Sequence, residues 1–358
     1  MAKAQPRART QCASIKKNPL AFLQRDSTLV KDNSVIIALM LLYVAVVTTV
    51  LARTQTGQFF LKIEWFDSIA LFFGGVFCIL CMGIQFFFPK LHPPFRAKNY
   101  IQFFIVLLLL SPYRSAFASY KQYISSVAPY SWDKTFMELD KLIHFGHMPW
   151  RLLEYLLQNR TILYTIDIIY LLWFVMLIVF SLWMSVTNLS RLRKRYFITA
   201  ILIWSAFGSG LGTVFYSVGP CYYAAVTGDP GPYGPLIRQL HQAHQENSLL
   251  AVRNEQALWQ AKTQQHWLPF GGISAMPSVH VAMAVLFALT LGEAFPLLAL
   301  TGWIFALLIQ IGSVVLAWHY AVDGYASALL TWLVWKLLRS AESRRQAATP
   351  PSATPARA

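Results

Sequence analysis

Long runs of apolar residues alternate with shorter polar segments along most of the chain. An α-helix needs about 20 apolar residues to cross the hydrocarbon core of a bilayer. Runs of suitable length occupy 33–52, 66–88, 161–186, 197–218, 281–299 and 300–318. Two weaker runs are 100–119, which contains Pro112 and Arg114, and the short segment 324–338. The pattern therefore predicts an all-α, polytopic membrane protein with about eight transmembrane helices.

Composition and charge support a membrane location. Hydrophobic residues make up 56% of the chain and charged residues only 13%, whereas about a quarter of the residues in a soluble domain are charged. The net charge of +15 comes from basic residues in the two termini and in the connections on the same side, 89–98, 186–195 and 292–297, which the positive-inside rule assigns to the cytoplasm. Because no aromatic residues interleave with these clusters to form a groove, we expect no nucleic-acid partner. We expect an integral protein of a bacterial inner membrane, with both termini cytoplasmic.

The same pattern predicts how the chain is organised. Residues 1–32 form a basic cytoplasmic segment, and residues 33–98 contain two additional transmembrane helices. Residues 99–338 then supply a six-helix catalytic core, and the Pro- and Ala-rich residues 339–358 form a disordered cytoplasmic tail. Within the core we expect two long extracytoplasmic segments, 120–160 and 219–278, and an extracytoplasmic active site.

Two histidines and an aspartate stand out near the C-terminal third. In the sequence HYAVD, His319 and Asp323 are four residues apart, so on a helix they share a face. An aspartate that accepts a hydrogen bond from one imidazole nitrogen makes the other nitrogen more basic, as a nucleophile or general base requires. His280 begins one apolar run and His319 ends the next, so we expect both rings at the same membrane surface.

The residues before His280 have the features of a helix start. Pro277 suits the first position of a helix, and the N–H groups of a first turn can bind an anion. We expect the backbone near Ser278 and the Ser278 hydroxyl to bind a phosphate group. Gly271 and Gly272 would allow the chain to approach that group closely.

The motifs PSVH (277–280) and HYAVD (319–323) resemble those of the type 2 phosphatidic acid phosphatase superfamily. The likeness covers roughly residues 100–338. It implies that His280 is the general acid and base, that His319 is the nucleophile and that Asp323 orients His319. It implies no cofactor and no metal.

The chain departs from the phosphatase pattern at its cationic residues. The superfamily's first motif would place Lys and Arg where this chain has Gly212 and Gly219, and its third motif would place Ser and Arg at Gly312 and Ser313. A phosphomonoester carries nearly two negative charges and gains more from several cations than a phosphodiester does. The departures therefore favour a diester, and they resemble the inositol phosphorylceramide synthase (inositolphosphotransferase) branch, which acts in sphingolipid metabolism.

A second segment is similar to that branch. In LDKLIHFGHMPWRLLEYL, the resemblance maps Asp140, Gly146 and Pro149 onto a recurring aspartate and Gly-x-x-Pro. We expect Asp140 to contribute to substrate binding. Lys141 and Arg151 are expected to offset the charge of the phosphate from the outer face.

These observations predict an enzyme that transfers a phosphoryl head group from a membrane phospholipid to a lipid alcohol through a phosphohistidine. Hydrolysis by water is the alternative within the same chemistry.

Other functional classes stay open. The pairs His144/His147 and His241/His244 have helix-face spacing that could bind zinc. With Asp167, His319 and Asp323 could form the proton relay of a transporter. A noncatalytic membrane scaffold is the last alternative.

Overall fold

The structure is a computed structural model, and it describes residues 20–53, 74–76, 79–80, 97–187, 189–269 and 271–348. Within these ranges every regular element is a helix and no strand occurs. The N-terminal part of the predicted segment 1–32, most of the predicted span 66–88 and the end of the predicted tail lie outside the described residues.

Helices of widely different length organise the described part of the chain. The long helices and the short ones between them are, in chain order, α1 (Leu20–Arg53), α2 (Ala97–Val127), α3 (Asp133–Ile143), α4 (Pro149–Leu152), α5 (Glu154–Gln158), α6 (Arg160–Val186), α7 (Ser190–Leu202), α8 (Tyr223–Thr227), α9 (Gly234–Glu246), α10 (Leu250–Thr263), α11 (Val279–Ala294), α12 (Ala299–Val315) and α13 (Ala321–Ala348). A π-helical stretch, Ile203–Leu211, continues α7 towards Val214.

Several of these helices are suited to the hydrocarbon core. Five helical segments in the described ranges are long and apolar enough to cross a membrane: Asn33–Arg53, Phe103–Val127, Arg160–Val186, Ser190–Val214 and Pro296–Val315. The 16-residue helix α11 is apolar but shorter. The predicted class, an all-α polytopic membrane protein, is confirmed.

Helix α11 lies at the centre of the bundle and packs against α6, α7, α12 and α13. Its partner α12 follows after a short turn, so the two helices form an antiparallel hairpin. A glycine allows their close approach, because a Cβ on Gly302 would lie 2.8 Å from the Cα of Ala288. The hairpin brings the first residues of α11 and the last residues of α12 to the same end of the bundle.

Helix α1 packs on the outside of α2 and α7. The Tyr43 hydroxyl lies 2.6 Å from the Ser209 hydroxyl on the continuation of α7. On α2, the Tyr113 hydroxyl donates to the Ile201 carbonyl at 2.9 Å. The Tyr113 contact ties α2 to α7, and α2 forms one wall of the cavity described below.

The end of α13 differs from the sequence prediction. Residues 339–348, which we expected to belong to a disordered tail, continue α13 as a helix. The Arg195 guanidinium pairs with Glu342 on this extension and with Glu293 at the end of α11, the latter at 2.5 Å. The same guanidinium lies 4.9 Å from the centroid of the Trp335 ring. Contacts with α7 and α11 therefore accompany the additional turns.

Candidate active site

The two histidines selected from the sequence lie side by side. His280 is the second residue of α11, and His319 lies in the short link between α12 and α13. Their ring centroids are 6.1 Å apart and their planes are inclined by 58°. The α11–α12 hairpin thus brings together two imidazoles that are distant in sequence, as the spacing of the apolar runs predicts.

Asp323 holds one nitrogen of His319. The His319 Nδ1 atom lies 3.3 Å from Asp323 Oδ2, which also accepts the Tyr320 backbone N–H at 3.1 Å. The aspartate is fully buried in the first turn of α13. Burial lowers the pKa of His319 to about 3, and the positive charge of Lys121 acts in the same direction. The imidazole is therefore neutral at physiological pH, as a nitrogen nucleophile must be.

Aromatic side chains of α6 fix the His280 ring. Its centroid lies 4.3 Å from that of Trp173 and 4.9 Å from that of Tyr170, which is nearly parallel to it. Phe174 makes an edge contact at 5.9 Å. The Trp173 indole N–H also donates to the His280 carbonyl at 2.9 Å. The ring is therefore held on one side by a packed aromatic surface.

The first turn of α11 presents backbone N–H groups to the site. Ser278 is the N-cap, and its hydroxyl accepts the Val281 N–H at 3.4 Å. This hydroxyl is buried and does not line the cavity, so the predicted contact between Ser278 and a phosphate group is not supported. The N–H groups of Val279 and His280 have no acceptor within the described residues, which is the usual state of a first helical turn.

A cavity of about 370 Å³ opens in front of both histidines. Its walls come from α2, α6, α10 and the segment 268–277, and His280 and His319 both line it. Two cations on α2, Arg114 and Lys121, also line it. Neither cation was among the site residues expected from the sequence. The sequence did contain a signal for this pair, because two basic residues seven positions apart lie on one face of an apolar helix.

Gly219, which stands where the superfamily's first motif has Arg, is packed too closely for a side chain. Gly219 has φ +87°, and a Cβ there would lie 2.5 Å from the Trp318 carbonyl oxygen. In the third motif, a Cβ on Gly312 would lie 3.0 Å from the Tyr170 ring. The cation position of that motif is Ser313, whose carbonyl accepts the His319 backbone N–H at 3.0 Å. Backbone contacts beside the His319 link therefore exclude a cationic side chain at 219, and a serine stands at the other position.

Asp140 caps a helix and does not line the cavity. Its two carboxylate oxygens accept the N–H groups of Ala321 and Val322, each at 2.9 Å, at the start of α13. Burial raises its pKa from 3.8 to about 6. The predicted direct contact of Asp140 with substrate is therefore not supported, because its carboxylate is used to position the helix that carries Asp323.

Asp133, seven residues before Asp140 on the same face of α3, was missed by the sequence analysis. Its carboxylate accepts the Tyr320 hydroxyl at 2.7 Å and the N–H groups of Val218 and Gly219 at 3.0 to 3.1 Å. It thereby joins the link that carries His319 to the chain after α7. Two acids on the same side as buried Phe136 and Met137 were the signal in the sequence.

The other two predicted cations lie away from the cavity. Lys141 pairs with Glu138 on the same helix at 3.2 Å. The guanidinium of Arg151 lies 5.3 Å from the centroid of the neighbouring Trp150 ring and is exposed. Neither side chain lines the cavity, so their predicted roles in binding phosphate are not supported.

The turn between α3 and α4 uses Gly146, at φ +86°, and Pro149 begins α4.

His144, His244 and Asp167, which were considered for the other functional classes, have structural partners. His144 contacts the Asp140 carbonyl and the Tyr325 hydroxyl, and the His244 ring accepts the Leu249 N–H at 3.0 Å. Asp167 accepts the N–H groups of Leu250 and Ala251 at the start of α10. No group of three or more His, Cys, Asp or Glu residues that could hold a metal ion occurs among the residues that the structure describes.

Comparison with protein families matches residues 134–337 to the PAP2 superfamily. The chain belongs to the PAP2 superfamily. The match includes both histidine motifs and Asp323, but it excludes α1 and α2, and hence Arg114 and Lys121. No curated protein and no solved structure matches the chain. Membership indicates an enzyme with phosphatase or phosphotransferase chemistry on lipid phosphates.

Proposed function

We propose that this protein is a membrane lipid phosphotransferase, which moves a phosphoryl head group from a phospholipid to a lipid alcohol through a phosphohistidine. The observation that carries the proposal is the His319–Asp323 pair, which faces His280 across a shared cavity. A phosphorus atom in that cavity can be approached by a nucleophilic nitrogen while a second imidazole serves the leaving group.

The reaction has two steps. First, His319 Nε2 attacks phosphorus, the bond from phosphorus to the glycerol oxygen breaks, and His280 gives its proton to the departing alkoxide. Second, the hydroxyl of the acceptor lipid attacks phosphorus, the N–P bond breaks, and His280 takes the hydroxyl proton. Asp323 holds His319 Nδ1 throughout and stabilises the positive charge that develops on that ring.

The closed position at Gly219 supports a phosphodiester donor. The superfamily pattern would supply cations at Gly219 and at Ser313; at Gly219 the close contact at 2.5 Å excludes a side chain, and at 313 this chain has a serine. A phosphomonoester would lose more from their absence than a singly charged diester. This argument favours head-group transfer of the inositol phosphorylceramide synthase kind over hydrolysis of a lipid monophosphate.

Hydrolysis of a lipid phosphate or diphosphate is the second candidate function. The cavity of about 370 Å³ has room for water beside a lipid head group. Water that attacked the phosphohistidine in place of a lipid alcohol would release phosphate, with His280 again taking the proton. The superfamily covers both outcomes.

The side of the membrane on which this happens is part of the proposal. The basic segments between apolar runs favour cytoplasmic termini. With the termini inside, the ends of α11 and α12 that carry His280 and His319 face the extracytoplasmic side. The donor would then be a phospholipid of the outer leaflet.

A product assay tests the proposal. The purified protein is incubated in vesicles with phospholipids that carry a radiolabelled phosphate, with and without ceramide or diacylglycerol as the acceptor. We expect label to move to the acceptor lipid in the wild type and not in His319→Gln. Label that appears in water at the same rate whether or not an acceptor is present would contradict transfer and support hydrolysis. Label transfer that persists in His319→Gln would contradict the mechanism.

A further inference from the structure

Lys121 lies in the cavity without a counter-charge. It is on the last turns of α2 and lines the same cavity as His280 and His319. Its side chain makes no hydrogen bond or ion pair with another residue in the described ranges. Placing an ammonium group in a mostly apolar cavity is costly unless an anion joins it there.

The acidic groups near the cavity are committed elsewhere. The acid among the cavity-lining residues is Asp167, and both of its oxygens accept backbone N–H groups at the start of α10. Asp133 and Asp140 do not line the cavity, and their oxygens accept groups on the His319 link and on α13. The protein therefore supplies the cation and leaves its neutralisation to a bound group.

The backbone fixes Lys121 against the segment that leads into α11. Gly272 has φ +91°, and a Cβ there would lie 2.6 Å from the carbonyl carbon of Lys121. On the same helix turn, Gln122 accepts the Leu268 N–H at 3.2 Å and donates to the Leu268 carbonyl at 3.1 Å. Lys121 is thus tied to the chain that ends at the first turn of α11, where the N–H groups of Val279 and His280 have no acceptor among the described residues.

We propose that Lys121 binds the phosphoryl oxygens of the substrate and is a catalytic residue supplied by α2, in place of the cations that the superfamily motifs have lost. One lysine beside the two imidazoles offsets one negative charge, which matches the phosphodiester group inferred above. Arg114, two turns earlier on the same face, is about 10 Å further along the helix. The catalytic role of Lys121 rests on the proposed function, whereas the existence of the anion site does not.

Anion binding by the full-length protein tests the inference without turnover. Purified wild type in detergent is titrated with inorganic phosphate, and separately with vanadate, by calorimetry. We expect Lys121→Met and Lys121→Gln to weaken phosphate affinity by about 10-fold or more, since each loses a charge-assisted contact. Lys121→Arg keeps the charge and should stay within a few-fold of wild type. Lys134→Met removes an exposed cation of α3 as the matched control and should bind as the wild type does.

The design separates this inference from the proposed function. His319→Gln should abolish turnover and still bind phosphate, so failure of any lipid to turn over leaves the binding result intact. Lys121→Gln retains a polar side chain, so it tests the proposal even if the methionine variant misfolds. The melting temperature of each variant shows whether it is folded. Wild-type affinity in Lys121→Gln, or the absence of phosphate binding by the wild type, would overturn the proposal.

Discussion

The imidazole rings of His280 and His319 lie 6.1 Å apart, although 38 residues separate them in the sequence. The α11–α12 hairpin creates this relationship, and its closeness depends on the Gly302–Ala288 contact. Asp323 then holds His319 from the first turn of the next helix. A phosphorus atom placed in the adjoining cavity would have two imidazoles beside it, to which we assign the roles of nucleophile and proton donor, and the following predictions depend on that geometry.

Asp323→Asn should lower kcat strongly and leave KM little changed. The amide cannot stabilise the charge that develops on His319, and it can hold the ring in the wrong tautomer. We expect a loss on the order of 10²- to 10⁴-fold. Initial rates with labelled phospholipid measure it. Ser327→Ala, which removes a hydroxyl that donates to the Asp323 carbonyl, serves as the control, and an Asp323→Asn enzyme with the wild-type kcat would contradict the assignment.

Asp133→Asn should reduce stability, because the Asp133 carboxylate accepts three groups on two separate segments. The amide nitrogen would face N–H donors and leave at least one of them unpaired. A buried donor without an acceptor costs about 1–3 kcal/mol. Thermal unfolding in detergent should show a lower apparent Tm, with a smaller decrease for Tyr320→Phe. Equal melting curves for wild type and Asp133→Asn would show that these hydrogen bonds do not hold the site together.

Asp140 should make stability depend on pH. Burial raises its pKa from 3.8 to about 6, so between these values the folded protein holds a proton that the unfolded chain releases. Its contribution to stability is therefore present at low pH and is lost as the pH rises through about 6. Relative to Asp140→Asn, the apparent Tm of the wild type should fall between about pH 4 and pH 6. Glu138→Gln, an exposed carboxyl on the same helix, is the control, and parallel curves for wild type and Asp140→Asn would refute the raised pKa.

Lys141→Ala and Arg151→Ala should retain activity within about two-fold of wild type, because an exposed charge outside the cavity contributes little. Rates and phosphate affinity measured in parallel with the Lys121 variants provide the comparison. A ten-fold loss in either alanine variant would restore the role that the sequence analysis assigned to these residues and would weaken the case for Lys121.

The sequence was sufficient to locate His280, His319 and Asp323, because two consecutive apolar helices must bring their adjoining ends to one membrane surface. It was insufficient for Asp140, whose carboxylate accepts backbone N–H groups of α13 that only the folded chain brings near. The Ser278 hydroxyl caps its own helix, a local contact that competes with binding of a phosphate group. Lys121 was missed for a related reason. It lies on a helix more than 150 residues before either histidine motif, and its seven-residue spacing from Arg114 does not reveal which residues that helix packs beside.

Predictions of the fold were right where they depended on hydrophobic length and wrong where they depended on tertiary packing. The apolar runs predicted the long helices, since hydrophobic length alone decides whether a helix can span. The prediction of a disordered tail was wrong at residues 339–348, which form the end of α13. There Arg195 on another helix contacts Glu342. That contact depends on tertiary packing and leaves no periodic signal in the sequence.

Trapping the phosphorylated enzyme tests the central claim most directly. Wild type and His319→Gln are mixed with phospholipid labelled in its phosphate, quenched in alkali, under which phosphohistidine survives, and digested. The account predicts label on the peptide that contains His319 in the wild type, and none on any peptide of His319→Gln. Label on another residue, or equal labelling of the two proteins, would contradict it.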